Sequence, residues 1–351
     1  MPSPAPIRIL FFADSHLGID LPLKPRIERR RRGHDFFANY EGVLAMALEE
    51  RVDLIVHGGD LFYRSKIPAS LVQQAFLPLK RVADAGIPIV VVPGNHERSK
   101  IPYPLLAEHP AIHIFHAPTT FVMELRGQRV ALAGFPYHPR DVRSSFPDLV
   151  NATGWRKVDA DLHLLVVHHC FEGATVGPAD YVFRFNDDVI RHRDVPPAFA
   201  AVLTGHVHRH QALTRDLLGR SLATPVLYPG SIERTSFAEM GEPKGYFMLT
   251  SHEPGSIDWQ FRHLPARPMV SVDIDGKLPT AEALEHAVCS SIAGAPEDAV
   301  LRIRVLGTVP AAARSALRAG HVRDLTPPTM NVEIVLPDER RAFRAGSQRS
   351  T

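Results

Sequence analysis

Cysteine is nearly absent from this chain: Cys170 and Cys289 are the only two in 351 residues. That excludes a disulfide framework and fits a reducing compartment. Net charge is scarce as well, because 40 Lys and Arg stand against 38 Asp and Glu, a formal +2 with histidine neutral. Any nucleic-acid binding must then rest on a local patch, since the chain as a whole exerts little long-range attraction. No apolar run approaches the roughly 20 residues needed to span a bilayer. The opening MPSPAPIRIL lacks the basic start and long apolar core of a secretory signal. A soluble, cytoplasmic protein without membrane contact is expected. No internal repeat or long low-complexity tract is visible, and the length suits one large domain plus a smaller one.

What is plentiful is histidine, 19 residues, several of them placed just after apolar runs. The run at 7–13 (IRILFFA) ends in Asp14-Ser15-His16, and the run at 52–56 stops at Gly58-Gly59 and hands over to Asp60. The run at 87–92 ends in Gly94-Asn95-His96-Glu97, the run at 162–167 in His168-His169, and the run at 200–204 in Gly205-His206-Val207-His208. Strands buried on both faces of a parallel sheet read as nearly unbroken apolar runs, and ligands collect at their carboxyl ends. Between these runs lie segments of helical spacing. One has Phe36, Phe37, Tyr40, Val43, Leu44, Ala47 and Leu48 on one face; another opens at Pro68, turns Leu71, Ala75, Leu79 and Val82 inward, and ends at Gly86. Pro78 is expected to kink or break the second. Alternating strands and helices predict a layered α/β fold with right-handed crossovers.

The texture changes after residue 112. Segments 121–125 and 128–133 flank Arg126-Gly127 as a hairpin, 135–158 reads as a long loop with one short helix, and strands are predicted at 226–228, 246–249 and 257–261. Residues 264–268 (LPARP) read as a linker. Beyond them, strands at 269–274, 299–306 and 331–336 and helices at 280–292, capped by Thr280, and 311–319 form a small α+β module. The tail from Asp338 is polar and basic.

Residues two apart in an extended segment face the same side, so Asp14 can converge with His16, and His206 with His208. Adjacent residues face opposite ways, which favours His168 over His169. His57 reads as structural, His210 as surface, and Cys170 as a buried small residue. The arginines at 29–32 read as a solvated loop or helix start, with a phosphate-binding role left open by their place just after the first strand, and Arg184, Arg191, Arg193 and Arg234 read as solvated surface ahead of a DNA path. Collected, the strand-end residues are Asp14, His16, Asp60, Asn95, His96, His168, His206 and His208. Oxygen and imidazole donors without thiolate suit Mn, Fe, Zn or Mg, and the set is large enough for two ions. Two ions on the order of 3.5 to 4 Å apart can polarise a phosphoryl oxygen and generate a hydroxide, and one Asp between them would fix that separation.

In order, these elements form the set D-x-H, GD, GNH(D/E), H and G-H-x-H, which resembles the calcineurin-like metallophosphoesterase superfamily. Within it, FFADSHLG, GGDLF, PGNHE, YPGSIERTSFAE at 228–239 and the following KGYF are similar to the SbcD-type double-strand-break repair nuclease family, over about 7–336. The resemblance implies a two-sheet α/β/β/α sandwich over 1–264, a capping domain over 265–337 and a polar tail over 338–351. It places Asp14, His16 and His208 on a first ion, Asn95, His168 and His206 on a second, and Asp60 between them. His96 would protonate the leaving 3′ oxygen or orient the scissile phosphate. Two divalent ions, usually manganese, hydrolysis of DNA phosphodiesters, a homodimer and an SMC-like ATPase partner of SbcC type are also implied. Two departures stand out. Archaeal members of that family carry a second histidine where this chain has Tyr63, and a phenol with a pKa of about 10 is a poor proton shuttle at neutral pH. The segment that docks the ATPase in longer members is expected to be either missing or reduced to about 338–344. Two other readings use the same residues: a phosphodiesterase or phosphatase on small or RNA substrates, since fold does not fix substrate, and a non-catalytic DNA-end-binding scaffold, which should have lost ligands.

Overall fold

The computed structural model describes residues 6–21 and 29–336. The polar tail and the stretch expected to dock an ATPase fall outside the described residues. The chain divides into two compact units, Met1–Asp20 with Gly33–Pro265, and Leu21–Arg32 with Ala266–Thr351.

In the first unit, β1 (Ile7–Phe12) is apolar except at Arg8, and its alternation sorts the two faces. Ile7, Ile9 and Phe11 join a core cluster that also holds Leu54, Val56 and Val90 from one sheet and Leu132, Leu164, Val166, Leu203 and Leu227 from another. Two sheets therefore pack face to face. On the opposite face of β1, Phe12 meets Tyr40 of α1 (Arg32–Glu49) with ring centroids 6.1 Å apart. The Tyr40 hydroxyl donates to the Ala75 carbonyl of α2 (Ala69–Asp84). α2 runs on through Pro78 rather than breaking there.

The first sheet runs β16-β15-β1-β2-β3-β4. β1, β2 (Leu54–His57), β3 (Ile89–Val91) and β4 (Ile112–Ile114) are parallel, while β15 (Gly245–Ser251) and β16 (Asp258–His263) join antiparallel. The second runs β13-β14-β12-β7-β6-β5. Its parallel centre is β6 (Gln128–Gly134), β7 (Leu162–Val167), β12 (Ala201–Thr204) and β14 (Ser221–Tyr228), edged by antiparallel β5 (Thr119–Leu125) and β13 (Gln211–Arg215). On its outer face Phe146 and Val150 of α3 (Val142–Ala152) pack with Leu165, Val167 and Val202. Two short ladders, β8 (Cys170–Phe171) with β11 (Val189–Ile190) and β9 (Thr175–Val176) with β10 (Tyr181–Val182), follow β7. Layers of helix, sheet, sheet and helix result. β13 has no counterpart in the sequence reading, because ALTR alternates weakly and the run ends at a charged turn. The 135–158 stretch holds an eleven-residue helix despite Pro147.

The second unit is a parallel sheet of β17 (Met269–Asp275), β18 (Val300–Leu306) and β19 (Asn331–Val335). Leu284, Val288 and Ile292 of α4 (Ala281–Ala293) pack with Leu301, Ile303 and Val305. Thr280 caps α4 by accepting from Ala283 N at 3.1 Å. The segment predicted as one helix at 311–319 is a 3₁₀ turn (Ala311–Leu317) followed by α5 (Ala319–Asp324). The arginine run needs correction at its first member. Arg29 donates to the carbonyls of Arg323, Thr326 and Pro327 and to the Thr326 hydroxyl, so its guanidinium ties the 29–32 segment to this unit instead of lying in solvent.

Candidate metal centre

Parallel strands put their carboxyl ends at one edge, and the polar tips after β1, β2, β3, β7 and β12 meet there. All eight side chains singled out from the sequence converge at that edge. Ligand atoms of Asp14, His16 and His208 lie within 4.8 Å of one another, as do those of Asp14, Asp60 and His168, and those of His16, Asp60 and His96. Asn95 joins through its amide oxygen, 3.0 Å from His168 Nε2 and 2.7 Å from His206 Nδ1. Asp60 Oδ2 is 3.3 Å from His168 Nε2 and 3.8 Å from His96 Nε2. The carboxylate of Asp60 is thus shared between groups, and geometry alone also admits His96 as a ligand.

The route to this convergence differs from the sequence argument. β1 ends at Phe12, and Asp14 and His16 meet through turns rather than the pleat of a strand: their φ angles are 51° and 43°. Asp60 (52°) and His206 (79°) are also left-handed. Left-handed conformations cost non-glycine residues energy, and persist where surrounding bonds over-determine them. Those bonds are present: Asp14 N donates to Gly59 O at 2.9 Å, His16 N to Asp60 O at 3.0 Å, and His206 N to the Asp14 carboxylate at 3.0 Å. The glycines allow the loops to touch. A Cβ on Gly59 would stand 2.2 Å from His168 Nδ1, and one on Gly94 would stand 2.1 Å from Asp60 Oδ1.

The ring nitrogens suit a cation. His208 Nδ1 lies 3.0 Å from Glu239 Oε1, so Nδ1 donates there and Nε2 is left as a lone pair. That Nε2 is 2.9 Å from His16 Nε2. His16 Nδ1 is buried without a hydrogen-bond partner among the described residues. Whichever nitrogen of His16 carries the proton, one polar atom of the pair stays unsatisfied; a divalent ion held by His16 and His208 would take up both Nε2 lone pairs. His168 repeats the pattern: Nδ1 donates to Gly58 O at 2.7 Å, and Nε2 then faces two oxygens, Asn95 Oδ1 and Asp60 Oδ2. The donor set, nitrogen and oxygen without sulfur, fits divalent ions of the Mn, Fe, Zn and Mg group.

The buried charges also set the protonation of these groups. Burial lowers the pKa of His168, but the Asp60 carboxylate outweighs it and holds it up at about 9. Burial also opposes ionisation of Asp60, yet His168 and its neighbours keep Asp60 well below the usual carboxylate range. Burial, then the charge of His168, pushes His206 down to about 3.

His96 is the more accessible member, its side chain 31% exposed against 1% for Asp60. Its Nδ1 lies 2.5 Å from the Tyr63 carbonyl and donates to it, which leaves Nε2 toward the cluster. Tyr63 itself is 41% exposed, with its ring centroid 5.8 Å from that of His96 and 6.4 Å from that of His16.

Several supporting residues escaped the sequence reading. Glu97 is buried, accepts from Phe62 N and from Gly94 N, and so ties the Asp60 loop to the Asn95 loop; burial and then the Asp60 charge push it up to about 8. Its signal was its place in PGNHE. Ser15 bonds His57 Nε2 at 2.9 Å, and His57 is fully buried. Glu239 and Lys244 stand behind His208; the signal for Lys244 was a charge opening the otherwise apolar and buried KGYF stretch.

Other residues separate from the centre. His169 Nε2 accepts from His138 N, and its ring stacks on Tyr137 at 4.9 Å. His210 is not open surface: it is half-buried and stacks on Phe261 with centroids 3.7 Å apart, because it points back over the first sheet. Arg234 is also buried, paired with Glu233 at 3.0 Å. Arg184 and Arg193 are exposed, and Arg191 pairs with Asp194.

This chain is similar to several known proteins. The sequence profile of a family described as calcineurin-like phosphoesterase matches residues 7–210. The DNA double-strand break repair protein Mre11 of Haloferax volcanii is 33% identical over 76% of this chain and 54% of its own length. The protein of the same name from Saccharolobus solfataricus is 26% identical over 60% of this chain and 51% of its own. An uncharacterized metallophosphoesterase of Bacillus subtilis is 27% identical over 72% of this chain and 56% of its own. The chain thus spans about half the length of the curated relatives it matches.

Proposed function

From the premise that the chain belongs to the calcineurin-like phosphoesterase family, we propose that it hydrolyses DNA phosphodiester bonds with two divalent metal ions, in the processing of double-strand breaks. The observation that carries the reading is the shared Asp60 carboxylate, which groups with Asp14 and His168 and with His16 and His96, next to the Asp14, His16 and His208 group and the Asn95 contacts to His168 and His206. We assign the first ion to the former set, the second to the latter, and the bridge to Asp60. Manganese is the favoured ion, with Fe, Zn and Mg suited to the same donors. When bound, such a pair polarises a phosphoryl oxygen and lowers the pKa of water.

The chain's own residues do the rest. Tyr63 O accepts from His96 Nδ1, so Nε2 faces the cluster, and in the doubly protonated ring the Nε2 proton is the one free to move. Water gives its hydroxyl to phosphorus and its other proton to solvent, the P–O3′ bond breaks, the His96 Nε2 proton passes to the departing oxygen, and His96 regains a proton from solvent. Glu97 keeps the loops of Asp60 and His96 in register during that transfer.

The remaining assignments rest on the family likeness: a phosphoesterase domain over 1–264, a capping domain over 265–337, a homodimer, an SMC-like ATPase partner of SbcC type, and a cytoplasmic location. Among the described residues no helix is long and apolar enough to cross a membrane. A small-diester or RNA phosphodiesterase is the competing reading, because the same donor set serves any phosphoester and fold does not fix substrate. The two separate in one assay, cleavage of single-stranded DNA, hairpin DNA ends and a chromogenic diester with Mn²⁺ present or chelated. Mn-dependent DNA cleavage is expected. Hydrolysis of the small diester alone would overturn the repair assignment, and a protein inert on every phosphoester would favour the scaffold.

A further inference from the structure

The bond from His208 to Glu239 does not end at the carboxylate. Lys244, whose side chain is fully buried, places Nζ 2.7 Å from Glu239 Oε2 and 3.3 Å from Glu242 Oε2. The same ammonium donates to the main-chain oxygen of His208 at 2.8 Å. One buried cation therefore holds residue 208 by its backbone, while the carboxylate it anchors holds the ring.

Glu239 is fully engaged. Oε1 takes His208 Nδ1 and the Thr235 hydroxyl; Oε2 takes Lys244, Thr235 N at 3.1 Å and Ser231 Oγ at 3.4 Å. With partners on both oxygens the carboxylate cannot rotate away from the imidazole. A buried Lys–Glu pair that served only packing would have no need to spend an oxygen on the ring whose other nitrogen lies 2.9 Å from His16 Nε2. Buried charges are retained where geometry satisfies them completely, and a histidine ligand has its tautomer set by the partner of its distal nitrogen.

We infer that Glu239 and Lys244 are positioning residues for the first ion: Glu239 fixes His208 as the Nδ1–H tautomer with Nε2 presented, and Lys244 locks that carboxylate and the His208 main chain into one unit. This rests on reading Asp14, His16 and His208 as an ion site. Substitution of either residue should therefore weaken one of two ions selectively.

The test is calorimetric titration of Mn²⁺ into the metal-free protein. Wild type should show two sites. Glu239→Gln, nearly the same shape and still able to accept from His208, should weaken one site by about ten- to a hundredfold and leave the other unchanged. Lys244→Met should do the same where thermal melting shows it folded. In a His208→Ala background, Glu239→Gln should cause no further loss of Mn²⁺ affinity, whereas a merely structural role would give additive losses. Two wild-type sites with an unaffected Glu239→Gln, or additive losses in the double variant, would overturn the inference alone. A wild type without two sites, or His208→Ala binding both ions normally, would bring down the metal-centre reading and this inference with it.

Discussion

Adding one methyl group at Gly94 should damage the centre without removing any ligand. A Cβ there would meet Asp60 Oδ1 at 2.1 Å, Asp60 N at 2.5 Å and Asp60 Cγ at 2.8 Å. Two of these are atoms of the buried Asp60 carboxylate and one is main chain, so no flexible tip can swing aside. Relief requires the Asp60 and Asn95 loops to part by about 1 Å, and overpacking of that kind costs about 1–3 kcal/mol. The parting stretches His96 N to Asp60 Oδ1 (2.9 Å) and the two Glu97 bonds that tie the loops. In a unit of this size each kcal/mol lowers the melting temperature by about 2–4 °C. A 1 Å misplacement of reacting groups costs about 10²-fold in rate. Gly94→Ala should therefore melt several degrees lower in chelator and lose about two orders of magnitude in Mn-dependent hydrolysis of a chromogenic diester. Gly42→Ala is the control of opposite sign: it lies within α1 with nothing inside 4 Å of the new Cβ. It should gain about 0.5–1 kcal/mol with unchanged activity. A Gly94→Ala protein with wild-type stability and rate would refute the packing of the two loops.

Three further outcomes are expected. Cys289, half-buried, should react with a thiol reagent in the native protein, while Cys170, 3% exposed, should react only after unfolding, as mass spectrometry of the labelled chain would read. Burial depresses the pKa of His163, whose ring lies 5.9 Å from that of Trp155. The unfolded chain takes up that proton first, so stability falls as pH drops below about 6.5 toward the depressed folded value; His163→Phe should shrink the difference between urea midpoints at neutral and mildly acid pH, and an unchanged difference would contradict it. Tyr63→Phe should leave small-diester hydrolysis at the wild-type rate, because His96 is held by the carbonyl of residue 63 and not by its phenol; a large loss would assign the hydroxyl a part in the chemistry.

Much of the centre was legible because ligands sit at the ends of apolar strands, and an unbroken run such as IRILFFA announces both the strand and its tip. The spacing argument was right about which residues meet and wrong about how. Asp14 and His16 are brought together by left-handed turns held by main-chain bonds to Gly59 and Asp60, and no pleat extends that far. The residues missed are those whose role is set by distant segments: Glu97 spans 35 positions to Phe62, and Lys244 spans 36 to His208. His210 and Arg234 were misread for a related cause. A polar residue next to a site looks solvent-facing in sequence, and only the stacking on Phe261 and the pairing with Glu233 reveal the burial. Arg29 belongs with them, its partners lying some 300 residues away.

The central claim is a two-ion centre divided by Asp60, and the most direct measurement is an anomalous difference map from crystals grown with Mn²⁺, for wild type and Asp60→Asn. The wild type should give two peaks about 3.5–4 Å apart, one beside His16 and His208 and one beside Asn95, His168 and His206, with Asp60 touching both; the variant should lose at least one. A single wild-type peak, or two that leave Asp60 untouched, would contradict it.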